Sequence, residues 1–131
     1  VYNKGVKMKI FDRDDKVNFV DKNNVLVGYD MGQSCCEHAD WFISEKKENR
    51  IRDDNYNSIK RLIPNIEKFV FDTKFFEQVD SPDLDDGGMV RFRLKYDRKE
   101  LFLHLFNNHN GYYSHGFEFR INDVVIKEDY L

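Results

Sequence analysis

A chain of 131 residues with 40% hydrophobic and 34% charged content fits one domain built on a single core, and no apolar run approaches the length of a membrane span. The formal net charge is −3, with basic and acidic residues interspersed, which speaks against a nucleic-acid backbone as partner. Aromatic residues make up 15%, twelve Phe and seven Tyr against two Pro; such side chains suit a pleated, half-buried surface, so the expected class is α+β, predominantly β, with consecutive antiparallel strands and little helix.

Residues 1–15 are mixed and charged and read as peripheral, with Asp12–Lys16 forming a turn. No basic segment leads into a long apolar one, so no secretory signal is expected. Val17–Tyr29 holds two apolar pieces separated by Asp21-Lys22-Asn23-Asn24, the pattern of a hairpin. Trp41, Phe42 and Ile43 predict a buried strand after a turn. Residues 45–57 are nearly all charged or Asn and predict an exposed loop; Ser58–Leu62 fits one helical turn closed off before Pro64. The apolar, aromatic run Ile66–Val79 predicts a strand pair or one long bent strand.

Asp80–Gly88 is a loop whose acidic residues lack the glycine and closing glutamate of an EF-hand. Met89–Tyr96 alternates, with Val90, Phe92, Leu94 and Tyr96 on one face and Arg91, Arg93 and Lys95 on a face expected to be wet. A turn at Asp97–Lys99 leads into the strand Glu100–Asn107, and Val124–Ile126 follows Asn122-Asp123 as a closing strand.

Asn110-Gly111 is a strong two-residue hairpin signal, because both central positions of a type I′ turn need positive φ. It would pair His109 with Tyr112, Phe106 with His115 and His104 with Phe117. Phe102, His104, Phe106, Asn108, Tyr113, His115, Phe117, Phe119 and Ile121 would then share the core face. If 107–115 forms an irregular loop instead, His109, Tyr112, Tyr113 and His115 can line one pocket. His104 reads as a core histidine satisfied by a neighbour.

Two segments carry residue types beyond what packing asks for. Gly28–Ser44 holds both cysteines, one histidine and the only Trp; Leu101–Ile121 holds the other three histidines. Cys35 and Cys36 are adjacent, their α-carbons closer than an ordinary disulfide prefers, so reduced thiols and a cytoplasmic setting are expected. Gly32, Gln33, Cys35, Cys36 and Glu37, together with His109, Asn110, Gly111, Tyr112, Tyr113, His115 and Gly116, resemble the paired segments of a domain-of-unknown-function family of small proteins from bacteria and their phages. The resemblance covers the second and last thirds of the chain. It implies no activity and supports treating the two segments as one unit.

Three chemistries compete for that unit. Cys35 or Cys36 with His38, His109 or His115 would make a thiol nucleophile and base, if the imidazole lies within hydrogen-bond reach. Cys35, Cys36, His38 and His115 could ligate zinc, although a single short cluster lacks the paired spacing of structural zinc sites. A binding surface needs neither geometry: Gln33, Cys35, Cys36, Glu37, His109, Tyr112, Tyr113 and His115 would contact a small molecule or a protein partner. The last reading is favoured, with no cofactor and no nucleic-acid or membrane partner.

Overall fold

The structure is a computed structural model, and it describes residues 7–32, 38–51, 63–82, 84, 87–108 and 114–131. Among the described residues, ten strands form two antiparallel sheets: β1 (Lys9–Arg13), β2 (Lys16–Val20), β3 (Val25–Asp30), β4 (His38–Ser44), β5 (Val70–Phe71), β6 (Glu77–Val79), β7 (Gly88–Tyr96), β8 (Lys99–Asn108), β9 (Gly116–Ile121) and β10 (Val124–Tyr130). The first sheet runs β1-β2-β3-β9-β10; the second runs β4-β8-β7-β5, with β6 also paired to β7. Among the described residues no α-helix occurs, only a 3-10 turn at Ile66–Lys68. The predominantly β expectation therefore holds, while its helical part has no counterpart there and Ser58–Leu62 lies outside the described residues.

Local sequence explains the turns. Asp14-Asp15 and Asn122-Asp123 take positive φ at both central positions, as a two-residue hairpin loop requires and as Asp and Asn tolerate. Between β2 and β3 the buried Asp21 carboxylate accepts hydrogen bonds from the Asn23 and Val25 amides, at 2.9 and 3.0 Å. It also takes the Phe71 amide at 2.8 Å, tying the hairpin to β5. The predicted hairpin is present, with Val20 opposite Leu26.

The two sheets pack face to face. Val17, Phe19, Val27, Tyr29, Phe117 and Phe119 from the first meet Trp41, Ile43, Val90, Phe92, Leu103 and Leu105 from the second in one buried cluster. Phe19 meets Trp41 edge-on at 4.9 Å, and Phe92 meets Phe119 at 5.1 Å, arrangements aromatic pairs prefer.

Four expectations are corrected. β8 and β9 do not form a hairpin: β8 lies between β4 and β7, and β9 between β3 and β10, in different sheets. The core face of β8 is Leu101, Leu103 and Leu105, so Phe102, His104 and Phe106 face the other way, where Phe42, Met89 and Phe106 make a second buried cluster. The Arg91 face of β7 is not wet at Arg91, which is 4% exposed. Finally, Ile66–Val79 is a 3-10 turn and two short strands, each paired to β7 and not to each other, broken by the turn after Asp72.

Candidate functional site

The topology sets where the two chemistry-bearing segments are anchored. β3 and β9 are neighbours in the first sheet, with Tyr29 opposite Phe117; β4 and β8 are neighbours in the second, with His38 opposite Asn108. The chain passes from the first sheet to the second after Met31-Gly32 and returns between Asn108 and Ser114. Both crossings therefore join the same two pairs of adjacent strands, at the same end of the sandwich.

That end is fastened by a polar network at its base. His115 is buried, and its Nδ1–H donates to the Asp30 carbonyl at 2.7 Å, which fixes the ring as the Nδ1–H form or the cation. Its backbone exchanges two hydrogen bonds with Leu131, at 2.9 and 2.8 Å. Asn107 donates to the Leu131 carbonyl at 3.0 Å, and Tyr29 donates its hydroxyl to the Phe106 carbonyl at 2.7 Å. His38 is exposed at the start of β4, with Nε2 3.8 Å from Asp40 Oδ2 and its ring edge-on to Phe106.

Of the residues singled out from sequence, His38 and His115 are described; Gln33, Cys35, Cys36, Glu37, His109, Tyr112 and Tyr113 lie outside the described residues. Among the described residues no group of three or more His, Cys, Asp or Glu is placed to hold a metal ion. With Nδ1 committed to a carbonyl, His115 could offer a metal only Nε2.

Sequence reasoning missed two further polar constellations. On the outer face of the second sheet Arg91 lies opposite His104 and donates from Nε to its Nε2 at 3.0 Å. The same guanidinium donates to the Glu48 carbonyl at 2.6 Å and to Asn49 Oδ1 at 2.7 Å, and it lies 3.4 Å from Glu77. Phe42 stacks on the imidazole at 4.3 Å. Burial first, and the Arg91 charge second, push His104 down to about 3, so the ring is neutral and acts as the acceptor that holds Arg91. This network pins the loop after β4 over the sheet. The signal for it was available: an Arg in register with a His flanked by Phe on both sides.

The second lies on the outer face of the first sheet, where Glu118 is held by Lys16 and Arg120, each at 3.1 Å. Burial would raise the Glu118 carboxyl, but the two cations outweigh it and hold it below the usual carboxylate value. A hollow of about 760 Å³ lies at the far end of the second sheet, near Ser44, Phe69, Tyr96 and Leu101, away from the two crossings. No protein-family model matches the chain, and comparison with curated proteins and with solved structures gives no match.

Proposed function

We propose that the protein is a non-catalytic recognition module that binds a small ligand or a protein partner with the surface where Gln33–His38 meets His109–His115. The observation that carries this reading is the shared anchoring of the two crossings: β3 beside β9 at one foot, β4 beside β8 at the other. A segment bearing vicinal thiols and a segment bearing Tyr112 and Tyr113 thus leave and re-enter the sandwich at neighbouring points. Tyr side chains beside Asn and His supply apolar area and adaptable hydrogen bonds at little entropic cost, the combination that recognition surfaces use. The resemblance to a bacterial and phage family with the same paired segments fits one shared surface, and the adjacent reduced thiols fit a cytoplasmic setting.

The test is a nitroxide on Cys36 in a Cys35→Ser background. Paramagnetic broadening of the amides of 109–115 is expected, together with ordinary thiol labelling rates and no stoichiometric metal on elemental analysis of untagged protein. Amides of 109–115 left sharp would end the shared-surface reading. Stoichiometric zinc, or a thiol labelled far faster than free cysteine, would replace it with the metal-binding or thiol-enzyme reading.

A further inference from the structure

We propose that the outer face of the first sheet carries a second binding site, a shallow cleft across β2, β3 and β9 that takes a neutral, hydroxyl-rich ligand of about one ring, such as a sugar unit. The strand registers line up Phe11, Asn18, Gly28 and Glu118 in one row across four strands. Gly28 leaves the middle of that row without a side chain. A Cβ there would stand 3.2 Å from Asn18 Oδ1 and 3.4 Å from Glu118 Cγ, so these two groups lean over the gap from either side. A hollow of about 300 Å³ opens beside this gap, lined by Phe11, Asn18 and Glu118 of the row and by Lys16, Leu26 and Arg120.

The second observation is the state of Asn18. Its side chain lines the hollow and the residue is only 7% exposed, yet among the described residues the side chain's sole hydrogen bond is a 3.5 Å contact from Nδ2 to the Lys16 carbonyl. Among the described residues its Oδ1 accepts none. That oxygen opens on the hollow, so a donor group of a molecule seated there can take it.

Charge selects the class of ligand. The lining holds three cations (Arg13, Lys16, Arg120) and three anions (Asp14, Glu118, Asp123), which leaves no net field to favour an ion. Both Glu118 oxygens are already engaged, so an anion would compete with Glu118 for Lys16 and Arg120, and a metal cation would compete with them for Glu118. What the cleft still offers is an amide oxygen, remaining carboxylate lone pairs, cationic N–H groups, and apolar surface from Phe11 and Leu26. Hydroxyls both donate and accept, and the C–H face of a sugar ring can lie on an aromatic ring, so a polyol satisfies this mixture without breaking the ion pairs. The volume sits at the lower limit of small-ligand pockets, hence about one ring. The cleft uses none of the residues of the crossing surface, so either site can fail without the other.

The experiment is an amide chemical-shift titration of the labelled protein with glucose, N-acetylglucosamine, cellotetraose and chitotetraose, each to about 10 mM, and with inorganic phosphate. The expected result is saturable shifts at Asn18, Gly28 and Glu118 with at least one sugar and none with phosphate. Gly28→Ala, whose Cβ would press on Asn18 Oδ1 and Glu118, and Asn18→Ala, each checked for folding by circular dichroism, should weaken that binding roughly tenfold. No saturable shift with any of the sugars, preferential binding of phosphate, or binding unchanged in both variants would overturn the proposal.

Discussion

Acid should weaken this protein through one residue, His104. Its pKa falls from 6.5 to about 3 in the folded chain, so the unfolded chain takes up a proton at a pH where the folded one cannot. Above about pH 6.5 the ring is neutral in both states and contributes nothing to the pH dependence. As pH falls through the window from 6.5 to about 3, stability is lost at about 1.4 kcal/mol per pH unit, to an upper bound of about 5 kcal/mol. At about pH 4.5 the loss is about 2–3 kcal/mol, a large share of the margin of an ordinary small domain. The assay is urea denaturation of the wild type and of His104→Gln at about pH 7 and about pH 4.5. Gln keeps a carbonyl acceptor for Arg91 Nε and cannot titrate. At the higher pH it should cost about 1–3 kcal/mol, because the stack on Phe42 is lost and the fit around Arg91 is poorer. At the lower pH the difference should narrow or reverse by about 2–3 kcal/mol. Asp72, Glu77 and Glu118 are held low by their Lys and Arg partners against the opposing effect of burial, so they too lose stability as pH falls through the carboxylate range. Asp72 and Glu118 lie outside the His104 network and cancel in the comparison. A difference that stays constant between the two pH values, within about 0.5 kcal/mol, would mean that His104 titrates freely in the folded protein, and the buried acceptor account would be wrong.

Three substitutions test the frame that carries the sites. Asp21→Ala removes the acceptor for the amides of Asn23, Val25 and Phe71 at a fully buried position and should cost about 3 kcal/mol or more, read as a lower urea midpoint. Gly87→Ala places a Cβ 1.6 Å from the Asn107 carbonyl oxygen, so the backbone before β7 must move away from the end of β8. A loss above about 3 kcal/mol is expected, and a melting temperature at the wild-type value would refute the close approach. Tyr29→Phe deletes the hydroxyl bond to the Phe106 carbonyl across the two sheets and should cost about 1–2 kcal/mol in the same denaturation assay.

The strands whose alternation has one apolar phase were legible in the sequence. Phe117, Phe119 and Ile121 against Glu118 and Arg120 gave the buried face of β9, and Val90, Phe92 and Leu94 gave that of β7. β8 was not legible in this way, because both of its phases are apolar: three Leu on one side, Phe102, His104 and Phe106 on the other. Period alone cannot orient such a strand, and the Asn110-Gly111 signal then favoured the nearest partner in the chain. A strand apolar on both phases should instead be read as a central strand covered on both faces. That reading would also have predicted a lid over the Phe102–Phe106 face, which the loop after β4 and the Arg91 network supply. The candidate site was legible as residue types but not as geometry, because adjacency of the two crossings follows from long-range strand order, which no local pattern encodes.

Packing now accounts for two of the four histidines, and this narrows the chemistry. His104 is an acceptor under Arg91, and His115 is a latch whose Nδ1–H closes the Asp30 carbonyl at the foot of the crossings. If the latch is the whole of its role, a side chain that places an N–H at the same point should replace it. Asn can do so, since its amide nitrogen reaches about the position of an imidazole Nδ1; Leu fills the space but donates nothing. His115→Asn should therefore stay within about 1 kcal/mol of the wild type in denaturation, while His115→Leu should lose about 2 kcal/mol or more by leaving the Asp30 carbonyl unpaired. The comparison separates structure from site: if Asn fails as badly as Leu, the rest of the imidazole is required, and His115 returns to the candidates for ligand or metal contact. If Asn succeeds, the hydrogen bond to the Asp30 carbonyl is enough to account for His115, and it leaves the candidates for ligand or metal contact.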